Sequence, residues 1–365
     1  MPRYTLTLSP NYVKNWTDSD AIREFIQNAI DQEHCDPSNT KDIYIDGDSL
    51  VIANKTSKLS KSSLLLGGGT KSEGDNNIGQ FGEGYKVALL VLLRDGFKIT
   101  INNYGASELW IPKIVNSKVY ESEVLAIDTQ EFEFEGYNPN SLEIIITKED
   151  YDFNETLSNI WLEFETSLDD LDCIHTNKCT ILLDEQYENK IYVKGLYIGE
   201  LKDLKYGYSF EPSMIKIGRD RNLVNSFDVY WALSKYVWNS VDYSDEKVCN
   251  IVKELITEEA KEVEYLDVNY LPSSFKEVMV EDYKDKYVIS CESDKEAIKE
   301  TYGNVETTIV PDKIKTLVYN YQTRETGIRV EVKSAYTLLE EFIEKYEELL
   351  NDDMLEDLDK IMERI

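Results

Sequence analysis

Hydrophobic residues near the beginning of the chain recur with the spacing of a helix. Five of them occupy positions i, i+3, i+4, i+7 and i+8, which is the apolar stripe of an amphipathic helix. The five are Ile22, Phe25, Ile26, Ala29 and Ile30. Thr17 and Asp20 have the spacing of a capping box at the start of this helix, and Pro37 follows its expected end. The pattern predicts a helix with one buried and one polar face.

The polar face of this helix carries three residues that could act together. Glu24 and Asn28 are one turn apart and Asp31 is three residues further on, so all three project from neighbouring positions. On its own, such a set is usually an ordinary solvated face. The set becomes a candidate site only in combination with a second segment.

That second segment is rich in glycine and precedes an apolar run. Residues 78–84 read Ile-Gly-Gln-Phe-Gly-Glu-Gly, and residues 85–94 have the length and apolarity of a buried helix ended by Gly96. Glycines let the backbone take positive φ and let main-chain N–H groups approach an anion. A glycine turn that opens a helix is also a phosphate cradle, because the helix N-terminus carries unpaired donors and partial positive charge. The segment therefore predicts a phosphate-binding turn.

The remaining pattern predicts a mixture of strands and helices. Strands are expected at 49–53, 97–102 and 142–147, with further strands and loops over 105–140 and a helix over 154–168. A second group of strands is expected at 179–183, 190–199 and 204–210, followed by a helix around 229–233. The last third predicts a strand–helix–strand unit over 286–310 and, from residue 336 onward, helical apolar stripes with acidic residues on the other face.

In combination, these segments resemble a known superfamily. Glu24…Asn28-Ala29-x-Asp31 matches the N box, and residues 78–84 match the later glycine box, of the ATP-binding domain shared by gyrase B, heat-shock chaperones, histidine kinases and MutL (GHKL). The residues of the two motifs are most similar to those of the heat-shock chaperone branch. The resemblance implies an α+β chain whose ATP-binding domain is a two-layer α/β sandwich of the Bergerat type. It also implies a mixed sheet covered on one face by helices, and a pocket closed by a mobile lid.

The resemblance also implies a role for each matching residue. Glu24 would orient and deprotonate the attacking water, Asn28 would give its carbonyl oxygen to Mg²⁺, and Asp31 would stand at the pocket wall. Thr70 and Lys71 would belong to the lid, and Lys71 or Lys86 could supply a cation to the phosphates. The full set expected around the nucleotide in this region is Gly69, Thr70, Lys71, Gly79, Gln80, Phe81, Gly82, Glu83, Gly84 and Lys86.

One box departs from the superfamily pattern. The adenine-binding box normally reads Asp-x-Gly-x-Gly after a strand, whereas here the strand 49–53 leads into Asn54-Lys-Thr-Ser-Lys. Asn54 could still accept a hydrogen bond from the adenine amino group through its amide oxygen. An amide is a weaker acceptor than a carboxylate, so weaker or less adenine-selective binding is expected.

The resemblance divides the chain into three parts. An ATP-binding domain is expected over residues 1–170, a transducer-like α/β domain over 171–265, and an α/β region ending in acidic helices over 266–365. In members of the superfamily that have a transducer domain, this domain supplies a basic residue that contacts the γ-phosphate of the bound ATP. The candidates for that contact are Lys216, Arg219 and Arg221, although an ordinary salt-bridged surface would explain each of them equally simply.

The net charge and the cysteine content restrict which partners and which cellular location can be expected. The formal net charge of −31 disfavours direct binding to nucleic acid. No apolar run is long enough to span a bilayer, the N-terminal residues show no signal pattern, and the five cysteines are scattered, so a cytoplasmic location without membrane contact is expected. Cys173-x-His175-x-x-x-Cys179 looks like a metal motif but has no evident fourth ligand.

Two functional hypotheses remain. The first is a Mg²⁺-dependent ATPase with slow turnover, in which ATP-driven lid closure and homodimerisation act as a conformational switch on a protein partner. The second is a nucleotide-regulated binding or decoy protein whose acidic surface engages a nucleic-acid-binding partner. Glu24 favours the first, since a pure binder needs no base. The Asn-, Lys-, Tyr- and Glu-rich composition would suit a bacterial, phage or mobile-element genome.

Overall fold

The chain forms two compact units in a computed structural model, Met1–Val241 and Asp242–Ile365. The described residues are 1–65, 83–133, 138–164, 166–218, 225–283, 286–326 and 352–362, together with positions 339, 342, 343, 346 and 350. Within these residues, no helix is both long enough and apolar enough to cross a membrane. The three-part division at residues 170 and 265 remains a prediction.

A seven-stranded sheet organises the first unit. Its strands lie in the order β1-β6-β5-β4-β7-β3-β2. Their bounds are β1 Arg3–Thr5, β2 Lys41–Asp46, β3 Ser49–Asn54, β4 Lys98–Asn103, β5 Glu108–Ser117, β6 Ser122–Glu131 and β7 Leu142–Thr147. Every pairing between these strands is antiparallel. The expectation of a mixed sheet was therefore wrong for this part of the chain, because β7 lies between β3 and β4 and runs opposite to both.

Two helices pack on this sheet and on each other. Helix α1 spans Asp18–Cys35 and contacts β2 and β3, while α2 spans Gly84–Arg94 and contacts β4 and β5. The predicted capping box at Thr17 and Asp20 is confirmed, with both reciprocal bonds present. In the apolar stripe of α1, Ile22, Phe25, Ile26 and Ala29 are buried, as is the middle of α2, and each large apolar side chain among them contributes about 1.5–3 kcal/mol. Helices layered on a sheet give the predicted α+β sandwich.

The helix predicted over 154–168 is shorter in the structure. Helix α3 spans Phe153–Ile160 and begins at an Asp152 cap, whose side chain accepts a bond from the Glu155 N–H. It ends early because Trp161 is extended, with φ −140° and ψ 110°, and pairs with Leu196 in an isolated bridge. Tertiary pairing here overrides local helix preference.

A five-stranded sheet completes the first unit. Its order is β11-β10-β12-β9-β8, and only the pairing of β10 with β12 is parallel. The bounds are β8 Cys173–His175, β9 Cys179–Leu182, β10 Lys190–Val193, β11 Leu196–Glu200 and β12 Gly207–Phe210. Helix α4, Ser226–Ala232, follows and continues into a π-helical turn at Leu233–Val237. The predicted strands in this region are confirmed.

The second unit combines helices with one small parallel sheet. Strands β13 (Tyr287–Ile289) and β14 (Thr307–Ile309) are joined through α7 (Glu292–Tyr302), which confirms the predicted strand–helix–strand unit. The other helices are α5 Glu246–Thr257, α6 Ser273–Glu281, α8 Asp312–Thr326 and α9 Asp352–Met362. Of the apolar stripe predicted from residue 336, Leu338, Leu349 and Ile365 lie outside the described residues, and Leu355, Leu358 and Ile361 lie on α9.

Candidate functional site

Three elements of the first unit bring candidate residues to one region. Helix α1 carries Glu24, strand β3 ends at Asn54 and helix α2 begins at Gly84. Helix α1 contacts both of the others, because its apolar stripe covers the sheet next to α2. The polar residues on the flank of that stripe are consequently drawn into the layer between the helices instead of facing water.

The carboxylate of Glu24 is seated against the first residue of α2. Glu24 is only 3 % exposed. A β-carbon built on Gly84 would lie 1.7 Å from Glu24 Oε1 and 2.2 Å from its Cδ. Only a residue without a side chain allows this approach, so Gly84 is required by the position of Glu24. The contact places an oxygen-bearing side chain at a helix N-terminus, where donors and partial positive charge are available.

Asn28 and Asp31 continue the same face of α1. Asn28 Nδ2 donates to the backbone carbonyl of Glu24 at 2.6 Å and to its Oε1 at 3.3 Å. Because both bonds use Nδ2, Oδ1 is the Asn28 atom suited to a hard cation. Asp31 is fully buried. The pKa of Lys194, on the turn between β10 and β11, is lowered overall. Burial is the largest cause, and the carboxylates of Glu211 and Asp31 offset part of it.

Asn54 is buried at the end of β3 and is held by its amide nitrogen. Its Nδ2 donates to Ala29 O at 3.2 Å and to Asn39 O at 3.3 Å. These bonds fix the amide so that Oδ1 is the atom left to serve as an acceptor, as the sequence argument requires. The structure therefore ties Asn54 to α1 and to the loop that follows α1.

Asn39 organises the chain after β3, and the sequence analysis did not identify it. Its Oδ1 accepts bonds from the N–H groups of Thr56 at 2.7 Å and Ser57 at 3.0 Å, and its Nδ2 donates to Ser57 Oγ at 2.7 Å. A buried asparagine thus organises this turn. The only signal in the sequence was the turn-forming Pro37-Ser38-Asn39.

The start of α2 is fastened to the 3₁₀ turn Lys61–Leu64. The Tyr85 hydroxyl donates to Ser63 O at 2.9 Å, and burial raises the pKa of Tyr85 to about 12, so it remains a neutral donor. Lys86 is fully buried, and its Nζ donates to Leu65 O. Burial lowers the pKa of Lys86. The bonds of Tyr85 and Lys86 thus connect the start of α2, just after residue 83, to the 3₁₀ turn and Leu65, just before residue 66.

Several predicted residues lie outside the described part of the chain. This holds for Gly69, Thr70, Lys71, Gly79, Gln80, Phe81 and Gly82, and for Arg219 and Arg221. Glu83 directly precedes α2, where its backbone carbonyl accepts the bonds of Lys86 N and Val87 N. Lys216 is exposed and follows the last strand of the five-stranded sheet. The roles of all these residues remain predictions.

The metal-like cysteine motif does not form a metal site. In the described ranges, no three His, Cys, Asp or Glu side chains are grouped so as to hold a metal ion. Cys173 and His175 lie on one face of β8, and Cys179 lies on the opposite face of the neighbouring strand. For Mg²⁺ the candidate donor is different: Asn28 Oδ1 is a hard oxygen of the kind that such an ion takes, with water in most of the other positions.

Comparison with known proteins gives limited information. No family model matches the chain. A Mycoplasma pneumoniae protein described as uncharacterised is 24 % identical over 215 residues, which is 57 % of this chain and 84 % of that protein. The ATPase region of Saccharomyces cerevisiae topoisomerase II is a structural neighbour at 12 % identity and a TM-score of 0.32. It matches 49 % of this chain and 61 % of its own length. A similarity this low carries no functional argument.

Proposed function

We propose that this chain binds ATP with Mg²⁺ at the junction of α1, β3 and α2 and hydrolyses it slowly, with Glu24 as the general base. The observation that carries the proposal is the contact of the Glu24 carboxylate with Gly84, which a β-carbon would prevent. This contact joins the two motifs on which the GHKL resemblance depends, and they are separated by about sixty residues along the chain.

The N-terminus of α2 supports phosphate binding there. The helix has no side-chain capping bond and no acidic residue in its first turn. The N–H groups of Lys86 and Val87 bond to Glu83 O, so the donors that remain for an anion are those at the very start of the helix. A phosphate chain bound there would lie next to Glu24, within reach of a base that must meet the attacking water.

The other side chains have complementary tasks in this proposal. Asn54 Oδ1 accepts a bond from the adenine amino group, and Asp31 forms part of the buried wall. Lys86 contributes a cation close to the phosphates. Mg²⁺, when bound, neutralises phosphate charge, and Asn28 Oδ1 is the residue atom that would hold it. The switch part of the proposal, in which ATP binding drives homodimerisation and acts on a protein partner, rests on the sequence resemblance alone.

The test measures ATP binding and turnover separately. Glu24→Gln and Glu24→Ala are compared with wild type, and Glu155→Gln on the exposed face of α3 is the matched control. Phosphate release at saturating ATP and Mg²⁺ gives turnover, and titration calorimetry gives affinity. We expect both Glu24 variants to bind ATP and to lose turnover by about 10²–10⁴-fold, the range of general-base catalysis, while Glu155→Gln matches wild type.

Two other outcomes would decide against the proposal. Wild type that binds ATP without releasing phosphate would favour the alternative of a nucleotide-regulated binding protein. Wild type that binds no ATP, with or without Mg²⁺, would contradict the site itself. Asn28→Ala separates the metal from the nucleotide, because it should abolish the gain in ATP affinity that Mg²⁺ produces and leave metal-free binding unchanged.

A further inference from the structure

A thiol, an imidazole and a hydroxyl lie together on the edge of the five-stranded sheet. Among the described residues, strand β8 pairs only with β9, and the register sets Cys173 opposite Leu182 and His175 opposite Thr180. Residues two apart on a strand, and residues directly opposite across a pair, share a face of the sheet. Cys173, His175 and Thr180 therefore occupy the same face, at an edge strand that is only three residues long.

The three side chains form two successive hydrogen-bonding contacts, one from the thiol to the imidazole and one from the imidazole to the hydroxyl. Cys173 Sγ lies 3.2 Å from His175 Nε2, and His175 Nδ1 lies 3.2 Å from Thr180 Oγ1. The sulfur also lies 3.4 Å from Leu168 O. A nucleophile next to a base that is itself oriented by a third group is the arrangement that activates a thiol. His175 is exposed and Cys173 is half-buried, so the pair lies at the surface of the protein.

Cys179, the second cysteine of the motif, is excluded from this cluster. It is buried on the opposite face, and burial raises the pKa of its thiol well above the ordinary value. It is also displaced by three residues along β9 from Leu182, the partner of Cys173. That displacement is about 10 Å, beyond the Cα separation of about 7 Å that a disulfide tolerates. Cys173 is therefore not arranged to form an internal disulfide with Cys179.

We propose that Cys173 is a site of reversible thiol–disulfide exchange with low-molecular-weight disulfides, with His175 as its proton acceptor and Thr180 as the residue that positions the imidazole. The thiol proton passes to His175, and the thiolate attacks one sulfur of the small disulfide. A Cys173–S–S–R bond forms, the original S–S bond breaks, and the departing thiolate takes a proton from the imidazolium. The small disulfide is the oxidant, and one equivalent of free thiol is released.

The other ionisable groups packed around Cys173 are tyrosines. Three tyrosines pack with Cys173 in the same cluster, namely Tyr187, Tyr192 and Tyr197. Burial is the largest cause that raises the pKa of each, so all three remain neutral. The carboxylates adjacent along the chain are those of Asp170 and Asp172. An imidazolium beside the sulfur stabilises the thiolate and raises the reactive fraction.

The test follows the rate of modification at each cysteine of the full chain. The protein is incubated with glutathione disulfide, and separately with the aromatic disulfide DTNB, and the modified peptides are quantified by mass spectrometry. Each unit by which a neighbour lowers a thiol pKa raises the thiolate fraction tenfold and lowers its nucleophilicity about threefold, which is a net gain of about threefold. We expect Cys173 to react about 3–10-fold faster at pH 7 than the exposed Cys35 and Cys291.

Variants separate chemistry from exposure. His175→Asn should slow the reaction of Cys173 to the level of Cys291 at pH 7 and leave Cys291 unchanged. Above pH 9, where any thiol ionises, the difference should vanish. Thr180→Val should give a smaller loss that Thr180→Ser restores. Thermal unfolding of each variant checks that the sheet is intact. Equal rates for Cys173 and Cys291 at pH 7, or a Cys173 rate that His175→Asn leaves unchanged in a folded protein, would overturn the proposal.

Discussion

Two carboxylates of the first unit are almost equally buried and are held in different ways. Asp128 on β6 is 6 % exposed and Glu24 on α1 is 3 % exposed. Asp128 lies between two cations: Arg3 Nε donates to it at 2.7 Å, and Lys113 Nζ bonds to its other oxygen. Glu24 is bonded by the neutral amide of Asn28 and rests against Gly84.

This difference separates a structural carboxylate from a candidate functional one. The hydrogen bond from Arg3 and the bond to Lys113 hold the pKa of Asp128 at about 2, which means that the folded state favours its charge. Through these contacts, Arg3 joins β1 to β6 and Lys113 joins β5 to β6. Glu24 is instead bonded by a neutral amide and lies at the N-terminus of α2, which is where we propose that the phosphates bind. Four predictions test this contrast, beginning with the largest effect.

Gly84→Ala should lower the rate of ATP turnover about 100-fold or more. The new methyl group would overlap Glu24 Oε1, built at 1.7 Å, and must displace the carboxylate from the helix N-terminus. Overpacking of this kind also costs about 1–3 kcal/mol in the free energy of unfolding. Phosphate release and thermal unfolding give the two readouts. In the double variant Glu24→Ala/Gly84→Ala the stability loss should disappear, and if it persists the contact is not its cause.

Asp128→Asn should lower the free energy of unfolding by about 2 kcal/mol at pH 7 and leave ATP turnover unchanged. The pKa of Asp128 is lower in the folded state than in the unfolded chain, so its contribution is fully present above pH 4. It is lost as the pH falls from about 4 to about 2. Urea unfolding at pH 7 and at pH 2.5 measures both limits. A variant with wild-type stability at pH 7 would show that the exposed ends of Arg3 and Lys113 screen the pair completely.

Glu24→Gln should have the opposite profile, with turnover lost and stability nearly unchanged. The amide keeps the shape of the side chain and removes a buried charge, and such a removal is often neutral or stabilising. We expect a change below about 1 kcal/mol in the free energy of unfolding. Urea unfolding beside Asp128→Asn provides the comparison. A loss as large as that of Asp128→Asn would make Glu24 a structural carboxylate as well.

Lys86→Met should weaken ATP binding about fivefold and leave stability within about 1 kcal/mol of wild type. Methionine fills the same buried space, and burial already lowers the pKa of Lys86, so its charge is costly in the folded state. Calorimetric titration with ATP measures the affinity. Lys41→Met, in the half-buried pair with Glu33, is the control that removes a lysine elsewhere. A large stability loss with unchanged affinity would assign Lys86 to the anchoring of Leu65 alone.

The elements that carry strong periodicity could be predicted from the sequence. The stripe of α1 and the continuous apolar run of α2 gave the type and nearly the bounds of both helices. Strands β3 and β7 were equally clear because β-branched and aliphatic residues fill them. Where residues 154–168 had an ambiguous pattern, the predicted helix extended past Ile160, since the pairing of Trp161 with Leu196 depends on a distant strand.

The contacts inside the candidate site could be predicted only in part. The spacing of Glu24, Asn28 and Asp31 placed them on one face, but nothing local indicated that Gly84 would meet the Glu24 carboxylate. That contact depends on how α1 packs on α2. Asn39 escaped notice for the same reason, because its bonds to Thr56 and Ser57 reach across the turn after β3. The cysteine motif was misleading because spacing along a chain does not specify which face of a sheet each residue occupies.

The edges of the seven-stranded sheet bear on self-association. Strand β1 is three residues long, and β2 presents Asp42, Tyr44 and Asp46 outward. If a second copy added its own β2 antiparallel about Tyr44, Asp42 of each chain would oppose Asp46 of the other. Like charges directly across a strand pair are destabilising, and a short or charged edge is a poor template for strand addition. A homodimer of this chain is therefore not expected to form by continuation of the seven-stranded sheet through β1 or β2.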